Sequence, residues 1–261
     1  MVIFVFPINA QTDELYFRRG FTQLRAGNID AAINDFTLAI RANPYHLDAY
    51  AERAGAYAAK KDYERALLDY NRIIGMDEKN ASAYYGRGQI YREQGNIDKA
   101  IEEYTKALAY DPNDVGIRND RASAYLEKGE SAKAIDDFTR AISQNPNDFA
   151  RYISRAGVYL ELAQYDKAIE DCVTIISKAS ARDENLYPAY LIRAQSYLLK
   201  GDPNNAISDL SRAIFINPKD PDAYSFRSEA YSAINDFPKA VKDLDMVIEL
   251  NRTNSNLSVK N

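Results

Sequence analysis

Residues 81–114 read ASAYYGRGQIYREQGNIDKAIEEYTKALAYDPND, and this stretch decides the fold. Tyr84, Arg87, Gly88 and Tyr91 recur at i, i+3, i+4 and i+7, which is one face of a helix. Gly95-Asn96 interrupts that face. Ala100, Tyr104, Ala107 and Leu108 then form the inner face of a second helix. Asp111-Pro112 ends it, because proline disfavours helix in the residue before it. The stretch predicts two antiparallel helices joined by a short turn.

The same phrase runs along the chain. Ala32-Ile33, Ala66-Leu67, Ala100-Ile101, Ala134-Ile135, Ala168-Ile169, Ala206-Ile207 and Ala240-Val241 stand 34 residues apart, except for one gap of 38. Units of 34 positions fall at 13–46, 47–80, 81–114, 115–148, 149–182, 187–220 and 221–254, leaving Asp183 to Leu186 as an insertion after the fifth. Residues 1–12 and a polar tail, 255–261, flank this single array. The eighth position is always small: Gly20, Ala54, Gly88, Ala122, Ala156, Ala194 or Ser228. The twentieth is alanine in every unit, so paired backbones approach closely. A lone pair cannot bury its apolar face, but stacked neighbours can, which predicts an all-α solenoid.

The pattern resembles the tetratricopeptide-repeat family over residues 13 to 254. The resemblance rests on period, small residues at positions eight and twenty, and aromatics at four, eleven and twenty-four. It also rests on proline at thirty-two (Pro44, Pro112, Pro146, Pro218). It implies a right-handed superhelix whose first helices line a concave groove for an extended peptide or partner helix. Departures are Arg118 at position four, and Glu78, Ser180 and Arg252 in place of proline. The insertion implies a longer second helix in the fifth repeat or a bulged loop. The lysines by which some family members clamp a partner's terminal carboxylate are missing at position five, which argues against that mode.

One departure is regular. Position seven, commonly leucine in the family, is Arg19, Arg53, Arg87, Arg121, Arg155, Arg193 or Arg227. Position twenty-three is Asp35, Asp69, Glu103, Asp137, Asp171, Asp209 or Asp243. The two predict one partly shielded arginine–carboxylate pair per repeat. Such a ladder either contacts a ligand or fixes helix register. A feature identical in every unit selects no single place on a partner, which favours register.

Groove residues are expected on first helices. Phe17 and Phe21 come from the first repeat, Tyr85, Gln89 and Arg92 from the third, Asn119 and Ser123 from the fourth. Ile153 and Leu160 come from the fifth, Leu191, Gln195 and Leu198 from the sixth. Ile153, Leu160, Leu191 and Leu198 read either as an apolar anchor patch or as packing between repeats. The polar set Gln89, Arg92, Asn119 and Ser123 reads either as a holder of peptide backbone or as solvated surface. Asp120, Glu127, Glu161, Asp222 and Glu229 make the groove acidic from the fourth repeat on, favouring a basic or neutral partner segment.

Composition narrows function. Hydrophobic residues are 46% and charged residues 27%, a folding composition. The formal net charge of -5 lacks the broad basic footprint of a nucleic-acid binder. One cysteine and one histidine offer no zinc set, and no phosphate loop or nucleophile–base pair is present, so no catalytic, metal or cofactor residue is expected. His46, after Pro44-Tyr45, reads as a surface turn residue, and Cys172 as a buried small hydrophobe. No stretch approaches the ~20 apolar residues of a membrane span. Val2 to Phe6 followed by Ala10 reads either as the remnant of a secretory signal, placing the protein in the periplasm or outside the cell, or as an apolar tail on a cytoplasmic protein.

The reading that results is a non-catalytic protein- or peptide-binding scaffold. Its rival is a structural module that self-associates through the C-terminal repeat. There Val241, Leu244, Val247 and Ile248 lie uncovered, and the polar tail is too short for a capping helix.

Overall fold

The structure, a computed structural model, describes residues 9–258, with side chains from 12 to 253. Among the described residues it is all-α, with helices α1 (Asn9–Arg25), α2 (Ile29–Ala42), α3 (Leu47–Ala59), α4 (Tyr63–Met76), α5 (Ala81–Glu93), α6 (Ile97–Tyr110), α7 (Val115–Glu127), α8 (Ser131–Gln144), α9 (Phe149–Glu161), α10 (Tyr165–Lys178), α11 (Leu186–Leu199), α12 (Pro203–Ile216), α13 (Pro221–Ala233) and α14 (Phe237–Ser258). They form two compact units, Met1–Glu130 and Ser131–Asn261. Within each unit consecutive helices pair and pairs stack, so each is an α-solenoid.

Local chemistry sets the helix ends. Asp62, Asn80, Asn96, Asp114 and Asp202 cap their helices, each side-chain oxygen accepting a backbone N–H of the first turn. The turn inside each pair passes through one left-handed residue. In the third repeat this is Gly95 at φ 75°, where the missing Cβ removes the steric cost. Lys61 and Ala163 adopt the same conformation at φ 59° and 54° and carry strain that glycine would not.

At the insertion the second of the two expected alternatives, a bulged loop, is found, and the two outer boundaries differ from the sequence expectation. The four inserted residues enter the loop 179–185 and leave α10 at the 14 residues of its counterparts. Asp183 organises this loop by accepting from the Asn185 backbone N–H at 2.8 Å. The last helix runs to Ser258, past the expected tail boundary. At the other end α1 begins at Asn9, ahead of residue 13. The Val2–Phe6 run lies outside the described residues.

The interior is a column of alanines and aromatics. Ala32, Ala66, Ala100, Ala134, Ala168 and Ala206 are fully buried. A Cβ on Gly88 would meet the Tyr104 ring at 2.7 Å, so the small eighth position is a packing requirement there. Arg118, at the usual aromatic position, is buried and donates to the Pro112 carbonyl. His46 is not the surface residue its turn suggested. Its ring caps α3 by accepting from Ala49 N–H and packs 4.8 Å from the Phe17 ring.

The arginines of position seven occupy the pair interfaces. Arg53 Nε and Nη2 donate to Asp69 at 2.8 and 2.7 Å. Arg155 bonds Asp171 at 2.9 and 2.6 Å, Arg193 bonds Asp209 at 2.8 and 2.7 Å, and Arg227 bonds Asp243 at 2.8 Å through both nitrogens. Arg19 pairs with Asp35, and Arg87 donates to Glu103 at 2.7 Å. Asp137 of the fourth repeat is buried, and Arg121 donates to Thr105 at 3.1 Å.

A further contact crosses between repeats. Arg53 Nη1 reaches Thr37 Oγ1 at 3.0 Å, Arg87 reaches Asn71 at 2.6 Å, Arg155 reaches Thr139 at 2.8 Å and Arg227 reaches Ser211 at 3.2 Å. These acceptors sit at position twenty-five of the preceding repeat. Thr37, Thr139 and Ser211 spend their own proton on a carbonyl one turn back, at 2.7 Å, so their lone pairs face the arginine. Tyrosines of positions four and eleven flank the guanidinium, as Tyr152 and Tyr159 do at 5.7 and 5.8 Å from Arg155. Burial pushes the Asp171 carboxyl up, while its bond to Arg155 opposes the shift.

Asp69→Ala should lower unfolding stability by about 3 kcal/mol in urea titration, because it leaves the Arg53 charge shielded and half-partnered. An unchanged midpoint would show that the pair is merely solvated. Ala163→Gly should raise stability by about 0.5–1 kcal/mol by relieving left-handed strain, read from the same titration.

Candidate functional site

First helices neighbour one another along each unit: α1 touches α3 and α3 touches α5, and α11 touches both α9 and α13. The inner side chains of one helix therefore continue into the next, forming a first-helix face. Each unit has its own.

In the first unit the face is polar. Tyr85 donates its hydroxyl to Asp120 Oδ2 at 2.7 Å, and Gln89 Nε2 donates to the same hydroxyl at 2.8 Å. Arg92 Nε donates to Glu127 Oε1 at 2.9 Å. These bonds join α5 to α7 and fix the polar side chains in place. Together with Glu93 and Tyr104, Gln89, Arg92, Asp120 and Glu127 line a cavity of about 400 Å³. Burial, then the bond to Asp120, push the Tyr85 hydroxyl well above its ordinary range, so it remains a neutral donor. Asn119 and Ser123 stand beside this cluster but outside the cavity lining. Ser123 is turned back onto its own helix, donating to the Asn119 carbonyl at 3.1 Å. Phe17 is drawn into packing against Phe36 and His46, whereas Phe21 is 42% exposed.

In the second unit the face is apolar. Ile153 packs against the core formed by Ile142, Tyr152 and Ile175. Leu191 and Leu198 pack against the cluster of Ala194, Leu210 and Ala223. All three are half-buried, as is Leu160. A second cavity, of about 190 Å³, opens here, lined by Gln195, Leu198, Leu199, Phe226 and Glu229. Leu199 is 60% exposed at its edge. A leucine this open beside a half-buried phenylalanine offers area for an apolar side chain to cover.

Two lining residues escaped the sequence reading. Phe226 was passed over because the surrounding face of α13 is serine and glutamate. Tyr104 was assigned wholly to packing, since it lies on a second helix, yet it lines the inner cavity. The position of Phe226, one past the fifth in its repeat, was a usable signal. For Tyr104 none existed.

Among the described residues no group of three His, Cys, Asp or Glu side chains could hold a metal ion. Cys172 is fully buried, and burial pushes its thiol up to about 12. Among the described residues no helix is long and apolar enough to cross a membrane.

Comparison with known proteins agrees with this architecture. Tetratricopeptide-repeat models match residues 17–81 and 119–176, and also 187–220, and a TPR-repeat model matches 88–129. No curated protein matches the chain in sequence. Among solved structures, MamA from Desulfovibrio magneticus RS-1 is similar at 20% identity, covering 68% of this chain and 98% of its own, with a TM-score of 0.61. PilF of Pseudomonas aeruginosa is 17% identical over 85% of this chain and 99% of its own, with a TM-score of 0.65. YrrB, described as a TPR protein with an unusual peptide-binding site, is 22% identical over 70% of this chain and 92% of its own, with a TM-score of 0.59. Identities this low carry likeness of fold alone. Matched over most of its length by repeat models and built of stacked helix pairs, the chain belongs to the tetratricopeptide-repeat family.

Proposed function

We propose that the protein is a non-catalytic scaffold whose first-helix faces hold a polypeptide ligand. Membership in a family of interaction modules supports a protein partner. The observation that carries the reading is the cavity between α11 and α13, where exposed Leu199 and half-buried Phe226 adjoin Gln195 and Glu229. An apolar floor beside two polar groups suits a segment that inserts one apolar side chain and aligns its backbone on the polar pair. Similarity to YrrB, itself described by a peptide-binding site, points the same way.

Peptides selected from a displayed random library on the intact chain test this. Leu199→Asp changes an exposed side chain and leaves the core untouched, unlike changes at half-buried Leu191 or Leu198. We expect apolar-anchored peptides to bind this variant about tenfold more weakly. Equal binding would move the apolar site away from the sixth repeat, and a library with no enriched peptide would remove the groove reading.

A second reading has its own observation. On α14, Phe237, Val241, Leu244 and Ile248 are 58%, 56%, 47% and 51% exposed, a stripe at helical spacing. Association of two copies through this stripe predicts a mass that rises with concentration in light scattering. Val241→Glu should abolish the rise. A constant monomer mass would remove self-association.

A further inference from the structure

Tyr104 is fully buried, and its hydroxyl makes no hydrogen bond. Buried hydroxyls are nearly always satisfied, since leaving one unmet is destabilising. This one lies at the wall of the 400 Å³ inner cavity of the first unit. Its neighbours there are acceptors in excess. Asp120 uses Oδ2 for Tyr85, and Glu127 uses Oε1 for Arg92. Asp120 Oδ1 and Glu127 Oε2 take no hydrogen bond among the described residues. Glu93 adds a third carboxylate against the single positive charge of Arg92. Burial, then the charge of Asp120, push the Tyr104 hydroxyl up to about 12 against the opposing pull of the nearby Arg92 guanidinium, so it stays neutral.

We propose that this cavity takes a basic side chain, arginine above all, of the polypeptide that lies on the inner face. The proposal rests on the groove-binding reading and names the anchor that the first unit selects. A guanidinium brings five donors and no acceptor, which complements a wall of carboxylates and one idle phenolic oxygen. Asp120 Oδ1 and the Tyr104 oxygen receive its N–H groups, and the cavity's net negative charge offsets its desolvation. An acidic side chain would meet three carboxylates and is excluded by repulsion. The apolar cavity of the second unit carries none of this chemistry.

The test uses the full chain and a labelled peptide array in which one central residue is arginine, citrulline, lysine, leucine or glutamate. Agmatine serves as a guanidinium without a peptide backbone. Arginine peptides should bind best, with citrulline weakening binding at least about tenfold. Tyr104→Phe should weaken the arginine peptides about tenfold while the unfolding midpoint holds or rises, because the idle hydroxyl is gone. Asp120→Asn should weaken them comparably, and serves if Tyr104→Phe fails to fold. Equal binding of arginine and citrulline peptides, or of the parent chain and both variants, overturns the anchor while leaving the groove reading standing. Binding of agmatine as tight as the best peptide overturns the polypeptide source. Failure of every peptide on the array overturns the anchor together with the groove reading.

Discussion

Arg53, Arg87, Arg155 and Arg227 each divide one guanidinium between two repeats. The position-seven arginine gives two N–H groups to the carboxylate of its own second helix. A third goes to the position-twenty-five side chain of the repeat before it. The first contact closes a helix pair, and the second sets one pair on the next. Both form at a fixed angle, because the guanidinium is planar and its donors cannot swivel independently. Van der Waals packing of alanines against rings supplies cohesion without direction. The arginine supplies direction.

This arrangement explains several features of composition together. Tyrosines are abundant, at 20, partly because positions four and eleven wrap the guanidinium faces. Where position four is Arg118, the aromatic wall is lost on one side and the side chain finds a backbone carbonyl instead. Arg19, in the first of the described repeats, has a side chain 53% exposed, against 15% for Arg53, which lies between two repeats. Shielding comes from the stack and not from the helix pair alone.

The fold was legible because its signal repeats. A period of 34, an invariant alanine and a small eighth position leave one architecture, and the helices follow it. The charge pattern at positions seven and twenty-three was equally visible. The third contact was not, since threonine, asparagine and serine at position twenty-five look like ordinary helix filler until the neighbouring repeat is set beside them. The candidate site was less legible for the same reason. Which first-helix residues face inward follows from period. Whether a half-buried leucine such as Leu198 is lining or packing depends on how Phe226 of the next repeat is placed, and that is a tertiary fact. His46 was misread because a turn histidine gives no sign in sequence that a phenylalanine from the preceding repeat lies against it.

One junction stands apart. At position twenty-five of the fifth repeat the residue is Val173, which has no acceptor to offer Arg193. The loop that follows, 179–185, carries the inserted residues. The insertion and the missing acceptor occur at the same joint, where the Lys200–Asp166 ion pair and apolar packing hold the two repeats together. In a chain of otherwise similar links this joint is the one without the shared guanidinium, and α10 and α11 meet there over a broad apolar face. Lengthening or shortening that loop would reset the inner face near Leu191 without disturbing any arginine pair.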